Sequence, residues 1–200
     1  MKFLRPLLLA ITLGLLFGCA GSHEFGPYKG KVVDADTGEP IEGAVVFMKF
    51  FTEGGQFIGL AGGYLEVADA VEVLTDRNGE FNIPLQKLTV NKFLHKWENK
   101  GRAIIFKPSY GAFPGHPKVS MNIPGYSIPE NKFVIIKLPK LKTREERERN
   151  LRYASGHDVI RIPIEKQQII LKLYNTERKN IGLSPIPIRQ GFLPRPGRSK

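Results

Sequence analysis

The chain has 200 residues, 42% of them hydrophobic, a net charge of +11 and a single cysteine. That composition suits one domain of ordinary size with extensions, and one thiol excludes an intramolecular disulfide. Residues 19–100 carry 8 basic and 12 acidic residues and residues 101–200 carry 20 and 7, so the basic second half points to an anionic partner.

Lys2 and Arg5 open the chain with positive charge, and Leu7 to Phe17 is almost wholly apolar. A helix over that run rises only ~16 Å, too little for a hydrocarbon core of ~30 Å. Residues 1–18 therefore read as a secretory signal peptide rather than a membrane span. The segment closes on Leu16-Phe17-Gly18-Cys19, which resembles the bacterial lipobox. The resemblance implies cleavage before Cys19, diacylglyceryl transfer to its thiol and acylation of its new amine. Two or more acyl chains hold a protein firmly on a bilayer without a transmembrane helix. The mature chain of 182 residues is then expected on the cell envelope, facing the periplasm or the cell surface. Ala20, where enteric retention signals place Asp, favours the outer membrane. Export argues against nucleic acid as the anionic partner and leaves anionic lipid, lipopolysaccharide or a cell-wall polymer.

Residues 19–27 read as a lipid-anchored tether. Tyr28 to Val33 is rich in β-formers, and Asp36-Thr37-Gly38-Glu39-Pro40 is a turn. Ala44 to Thr52 is a second strand, apolar on both faces and hence central. Residues 53–63 are a glycine-rich loop, and Tyr64 to Thr75 resumes β character. Asp76-Arg77-Asn78-Gly79 ends in Asn-Gly, a hairpin signal. It leads into Glu80 to Ile83, which Pro84 ends.

The stretches GKVVDADTGEPIEGAVV and VEVLTDRNGEFNIP resemble the carboxypeptidase regulatory-like domain, a transthyretin-like β-sandwich. Gly30, Val32, Asp34, Thr37, Gly38, Pro40, Ile41, Gly43, Ala44, Val46, Thr75, Asp76, Gly79 and Phe81 occupy the places of that pattern. Ile104 to Tyr110 looks like the family's later strand and Gly-Tyr turn, with Ser109 where Gly is usual. Independently, short β-runs separated by Gly, Pro, Asn and Asp turns suggest a sandwich. It is expected over residues 28–138 and closes with the strand Phe133 to Leu138. Residues 85–100 read as a polar insertion, either a helical turn or a long loop.

A helical extension is expected over residues 139–183. Thr143-Arg144-Glu145-Glu146 is a capping box, and Glu145 with Arg149 and Glu148 with Arg152 are i,i+4 pairs. Pro163 to Asn180 is a second helix, with Gly182 at its C-terminal end. Its Ile169, Ile170, Leu173 and Tyr174 share a face suited to the sandwich. Residues 184–200 are a Pro-rich basic tail. The extension's arginines either pair with Glu145, Glu146 and Glu148 as a solvated face or meet an anionic surface.

His95 and Glu98 have the spacing of two zinc ligands, with His116 and His157 further on. Two ligands at one spacing are a weak signal without a third and a base. Asp34, Asp36, Asp76 and Glu80 lack the ligand alternation of a calcium loop and suit turns instead. Gly54 to Gly63 has no phosphate-loop Gly-Lys-Ser/Thr. No catalytic, metal or cofactor-binding residue and no cofactor is expected, and Cys19 is a lipidation site. The expected function is a non-enzymatic binding or assembly module at the bacterial cell envelope. The alternatives are an accessory subunit of an envelope enzyme or transport system, or a zinc-dependent hydrolase built on His95 and Glu98.

Overall fold

A computed structural model describes residues 21–54, 63–91, 95–154 and 162–187. The protein is mainly β, and its organisation follows from strand β3, Val45–Gly54. Successive side chains of a strand point to opposite faces. Here both sets are largely apolar, with Lys49 and Thr52 buried among them, so β3 is buried on both sides, as the sequence leads one to expect. Val46, Met48 and Phe50 enter one core, and Val45 and Phe47 enter another.

One sheet is β4 (Tyr64–Leu74) beside β3, with β7 (Lys96–Trp97) and β8 (Arg102–Phe106) sharing the other edge of β3. The second sheet has the order β5 (Glu80–Ile83), β2 (Tyr28–Asp34), β10 (Phe133–Leu138), β9 (Ser120–Met121). β2 and β10 run parallel, and the other pairs in that sheet are antiparallel. The core between the sheets holds Val32, Phe81, Ile105, Val134 and Ile136 against the β3 residues Val46, Met48 and Phe50. Each such side chain contributes about 1.5–3 kcal/mol when fully buried.

Two segments depart from the sequence reading, and they do so together. Residues 21–25, expected within the tether, form β1 (Gly21–Phe25). Residues 86–90, expected within a helical or looped insertion, form β6 (Gln86–Val90). The two strands pair, from Gly21 opposite Val90 to Phe25 opposite Gln86. This register continues that of β2 and β5, where Tyr28 faces Ile83. β1–β2 and β5–β6 are therefore one ribbon, interrupted where Gly26-Pro27 faces Pro84-Leu85. Proline cannot donate to a ladder, so the ribbon bends there and swings β1 toward β7. Phe25 then packs 4.7 Å from Phe50 and 5.5 Å from Trp97, ring centre to centre.

The Asn-Gly turn forms, but not as a hairpin within one sheet. It carries the chain from β4 in one sheet to β5 in the other. Thr75 fixes the crossing: its buried hydroxyl donates to Ile41 O at 2.6 Å and accepts from Ala44 N at 2.9 Å. Asp76 Oδ1 accepts the amides of Asn78 and Glu80. In the earlier turn, Asp34 Oδ1 accepts those of Asp36 and Thr37.

Helices α1 (Arg144–Ala154) and α2 (Gln168–Asn180) cover the other face of the β3 sheet. Leu151, Ile170 and Ile181 meet Val45, Phe47, Ile104 and Phe106 in this second core. The extension is thus a third layer. The capping box forms: Glu146 N donates to Thr143 Oγ1 and Thr143 N to Glu146 Oε2, each at 3.2 Å. α2 begins later than expected, after a 3-10 turn over Ile164–Lys166. Gln167 gives it no side-chain cap. Glu72 on β4 supplies one, its carboxylate accepting Ile169 N at 2.7 Å and Ile170 N at 3.0 Å. Negative charge suits a helix N-terminus. The helix ends in a Schellman pair, Leu183 N to Arg178 O and Gly182 N to Lys179 O. Cys19, His157 and residues 188–200 of the basic tail lie outside the described residues.

Gly38 and Gly79 share a left-handed backbone, at φ +75° and +74°. A side chain at either meets strain on the order of 1–3 kcal/mol. At Gly38 a Cβ would enter open space, whereas at Gly79 it would lie 2.5 Å from Val32 O and 3.1 Å from Ile41 N. Gly79→Val should therefore lower the melting temperature well beyond Gly38→Val. Equal shifts in thermal melts would contradict this account of the crossing turn.

Candidate functional site

The two candidate zinc ligands do not converge. His95 Nδ1 lies 3.3 Å from Thr52 Oγ1, and its Nε2 lies 3.5 Å from Tyr64 OH. Glu98 instead accepts from Arg102 at 2.7 Å. His116 sits against Tyr153, and its Nδ1 accepts Lys118 N at 3.3 Å. Burial, then the charge of Lys118, lowers the His116 pKa below the usual imidazole value. Among the described residues no three His, Cys, Asp or Glu side chains gather as a metal would require.

The basic helical layer uses part of its charge internally. Arg147 makes a forked contact with Glu177, 2.8 and 2.7 Å, and Glu177 is fully buried. The same carboxylate accepts Ser109 N at 3.2 Å. Ser109 has a φ of +70°, a left-handed conformation that glycine adopts most readily. Arg144 Nε donates to Ile181 O at 2.9 Å, and its guanidinium comes within 3.9 Å of Glu148. Asn150 is also buried: its Oδ1 accepts Ala112 N and its Nδ2 donates to Tyr110 O, both at 2.8 Å. Lys166 pairs with Asp69. The amides of Lys142 and Thr143 hold the Glu146 carboxyl below the usual carboxylate range. Much of this layer's polarity thus fastens helices to the sheet and to the loop after β8.

The outer face of the β5-β2-β10-β9 sheet carries a different surface. Inward residues Val32, Phe81, Val134, Ile136 and Leu138 alternate with outward Lys29, Lys31, Phe133, Ile135 and Lys137. Lys29 stands beside Phe133 and Lys31 beside Ile135 in the parallel register. Phe133 is 51% exposed and Ile135 36%. On the neighbouring strand Glu80 is opposite Lys31 and Asn82 opposite Lys29. The face is cationic with an apolar centre, and lysine stems cover apolar surface while keeping their charge in water. Its signal was present in the alternation of YKGKV and FVIIKL, but which face turned outward depended on the partner sheet.

The described residues also form concave features. A cleft of about 410 Å³ lies between residues 99–100 and 123–130, with Tyr28 in its wall and Tyr126 exposed at its rim. The Tyr28 hydroxyl donates to Glu130 Oε1 at 3.0 Å, and burial, then Glu130, pushes its pKa well up. A groove of about 660 Å³ runs along α2 past Lys172, Asn175 and Lys179 to Pro185.

Set against known protein families, curated proteins and solved structures, the chain matches none.

Removing one partner of a buried ion pair leaves an uncompensated charge. Arg147→Ala should destabilise the whole protein by about 3 kcal/mol in urea unfolding followed by circular dichroism. A change below about 1 kcal/mol, the size of an exposed pair, would return Arg147 to a solvated helix face.

Proposed function

We propose that the protein is a lipid-anchored lipoprotein of the bacterial cell envelope whose transthyretin-like sandwich serves as a non-enzymatic binding or assembly module. The observation that carries this is the run Leu16-Phe17-Gly18-Cys19 after an apolar leader, ending only two residues before β1. The places of the resemblance support the fold relationship. Asp34 caps the first turn, Thr75 ties the crossing between sheets, and Gly79 occupies the position that excludes a side chain. The exposed Lys29 and Lys137 and the half-buried Lys31 around Phe133 and Ile135 support binding as the role, with an anionic polymer or lipopolysaccharide as the partner class.

Cys19→Ser should abolish incorporation of a palmitate analogue and leave an unprocessed precursor, read by metabolic labelling and detergent partition. Equal labelling of the wild type and the variant would overturn the lipoprotein reading.

For the binding face, a soluble chain beginning at residue 20 should sediment with lipopolysaccharide and with anionic vesicles, but not with neutral ones. Each lysine near such a surface adds about 1 kcal/mol, and salt screens it within ~10 Å at 0.1 M. The double variant Lys31→Glu, Lys137→Glu should lose that binding. Binding that ignores salt and both substitutions would exclude this face.

A further inference from the structure

We propose that the end of the sandwich formed by β1, β7 and the start of β4 is itself a membrane-docking surface, seated in the headgroup layer of the bilayer that holds the acyl chains. The proposal rests on acylation of Cys19 and adds the orientation of the folded body. Cys19 precedes Gly21 by two residues, and two residues span at most about 7 Å. The headgroup layer on each side of a bilayer is itself only about 5–7 Å deep. The first residue of β1 is therefore held within about 7 Å of the acylated residue, at the membrane surface.

Gly21 is not a free end. Trp97 Nε1 donates to Gly21 O at 2.9 Å, and β1 is paired along its whole length with β6. Phe25 is completely buried against Phe50 and Trp97. Whatever positions Gly21 thus positions Trp97 and the sheet behind it.

The surface at this end has matching chemistry. Trp97 lies opposite Thr52 on β3, Lys96 opposite Glu53, and Tyr64 opposite Gly54. Tyr64 is 51% exposed and Leu65 39%. Trp97 is only 9% exposed and lies just beneath this surface, whereas Tyr64 presents the aromatic ring that favours a zone where an apolar body meets a wet edge, and the exposed Lys96 has a stem long enough to reach phosphates.

Trp97 is the only tryptophan in the chain, so it reports on this end alone. The acylated mature protein would be reconstituted into phosphatidylcholine vesicles, with or without lipids brominated near the headgroup end of their acyl chains. Flotation reads the anchor, and quenching of Trp97 emission reads the docking. The expected result is flotation together with loss of at least half of the emission on brominated vesicles. The double variant Tyr64→Ser, Leu65→Ser should float equally, show the same emission on unbrominated vesicles, and lose most of the quenching. A protein that floats with unquenched Trp97 would overturn the docking surface while leaving the anchor intact. A protein that fails to float would overturn both.

Discussion

Strand β3 is the constraint on which the rest depends. Val46, Met48 and Phe50 require a sheet on one side, and Val45 and Phe47 require a cover on the other. A strand buried on both faces cannot belong to a free two-layer sandwich with one wet surface on each sheet. The helical layer answers that requirement. Its attachments concentrate around β3's neighbours: Glu72 on β4 caps α2, and Asn150 on α1 holds the backbone of Tyr110 and Ala112 just after β8. Deleting either core should therefore expose half of the same strand. The helices are part of the fold rather than an appendage to it.

What local chemistry decides was legible in the sequence. β2, β3, β4, β5 and β10 were visible as runs of β-formers, and Asp34, Gly38, Asp76 and Gly79 marked turns whose geometry they set. The Thr143–Glu146 box marked the start of α1. What pairing at a distance decides was hidden. GSHEF and QKLTV are individually weak strands. Each becomes a strand because the bent ribbon brings it beside the other. Glu72 could not be read as a helix cap, because its helix lies almost 100 residues downstream. Nor could Arg147 be told apart from its exposed neighbours, since its partner Glu177 is on another helix.

The charge distribution has the same character. The excess of basic residues in the second half is real as a count, yet Arg147 and Lys166 are committed to Glu177 and Asp69. Cationic surface without such partners on its own strands is presented by Lys29 and Lys137, which come from opposite ends of the sandwich sequence and lie on one face of a parallel strand pair, Lys29 beside Phe133 and Lys137 beside Val33. Two surfaces then divide the work on the proposed account. The aromatic end near Gly21 meets the bilayer, and the lysine face stays available to an anionic partner.

The central claim is that a folded body begins almost at the acylated residue, and its covalent part can be weighed directly. Intact-mass spectrometry of the protein extracted from membranes should show a chain lacking residues 1–18. Its mass should also include a diacylglyceryl group and one further acyl group, with fragments placing both on Cys19. A mature chain with an unmodified Cys19, or one cut elsewhere, would contradict the account.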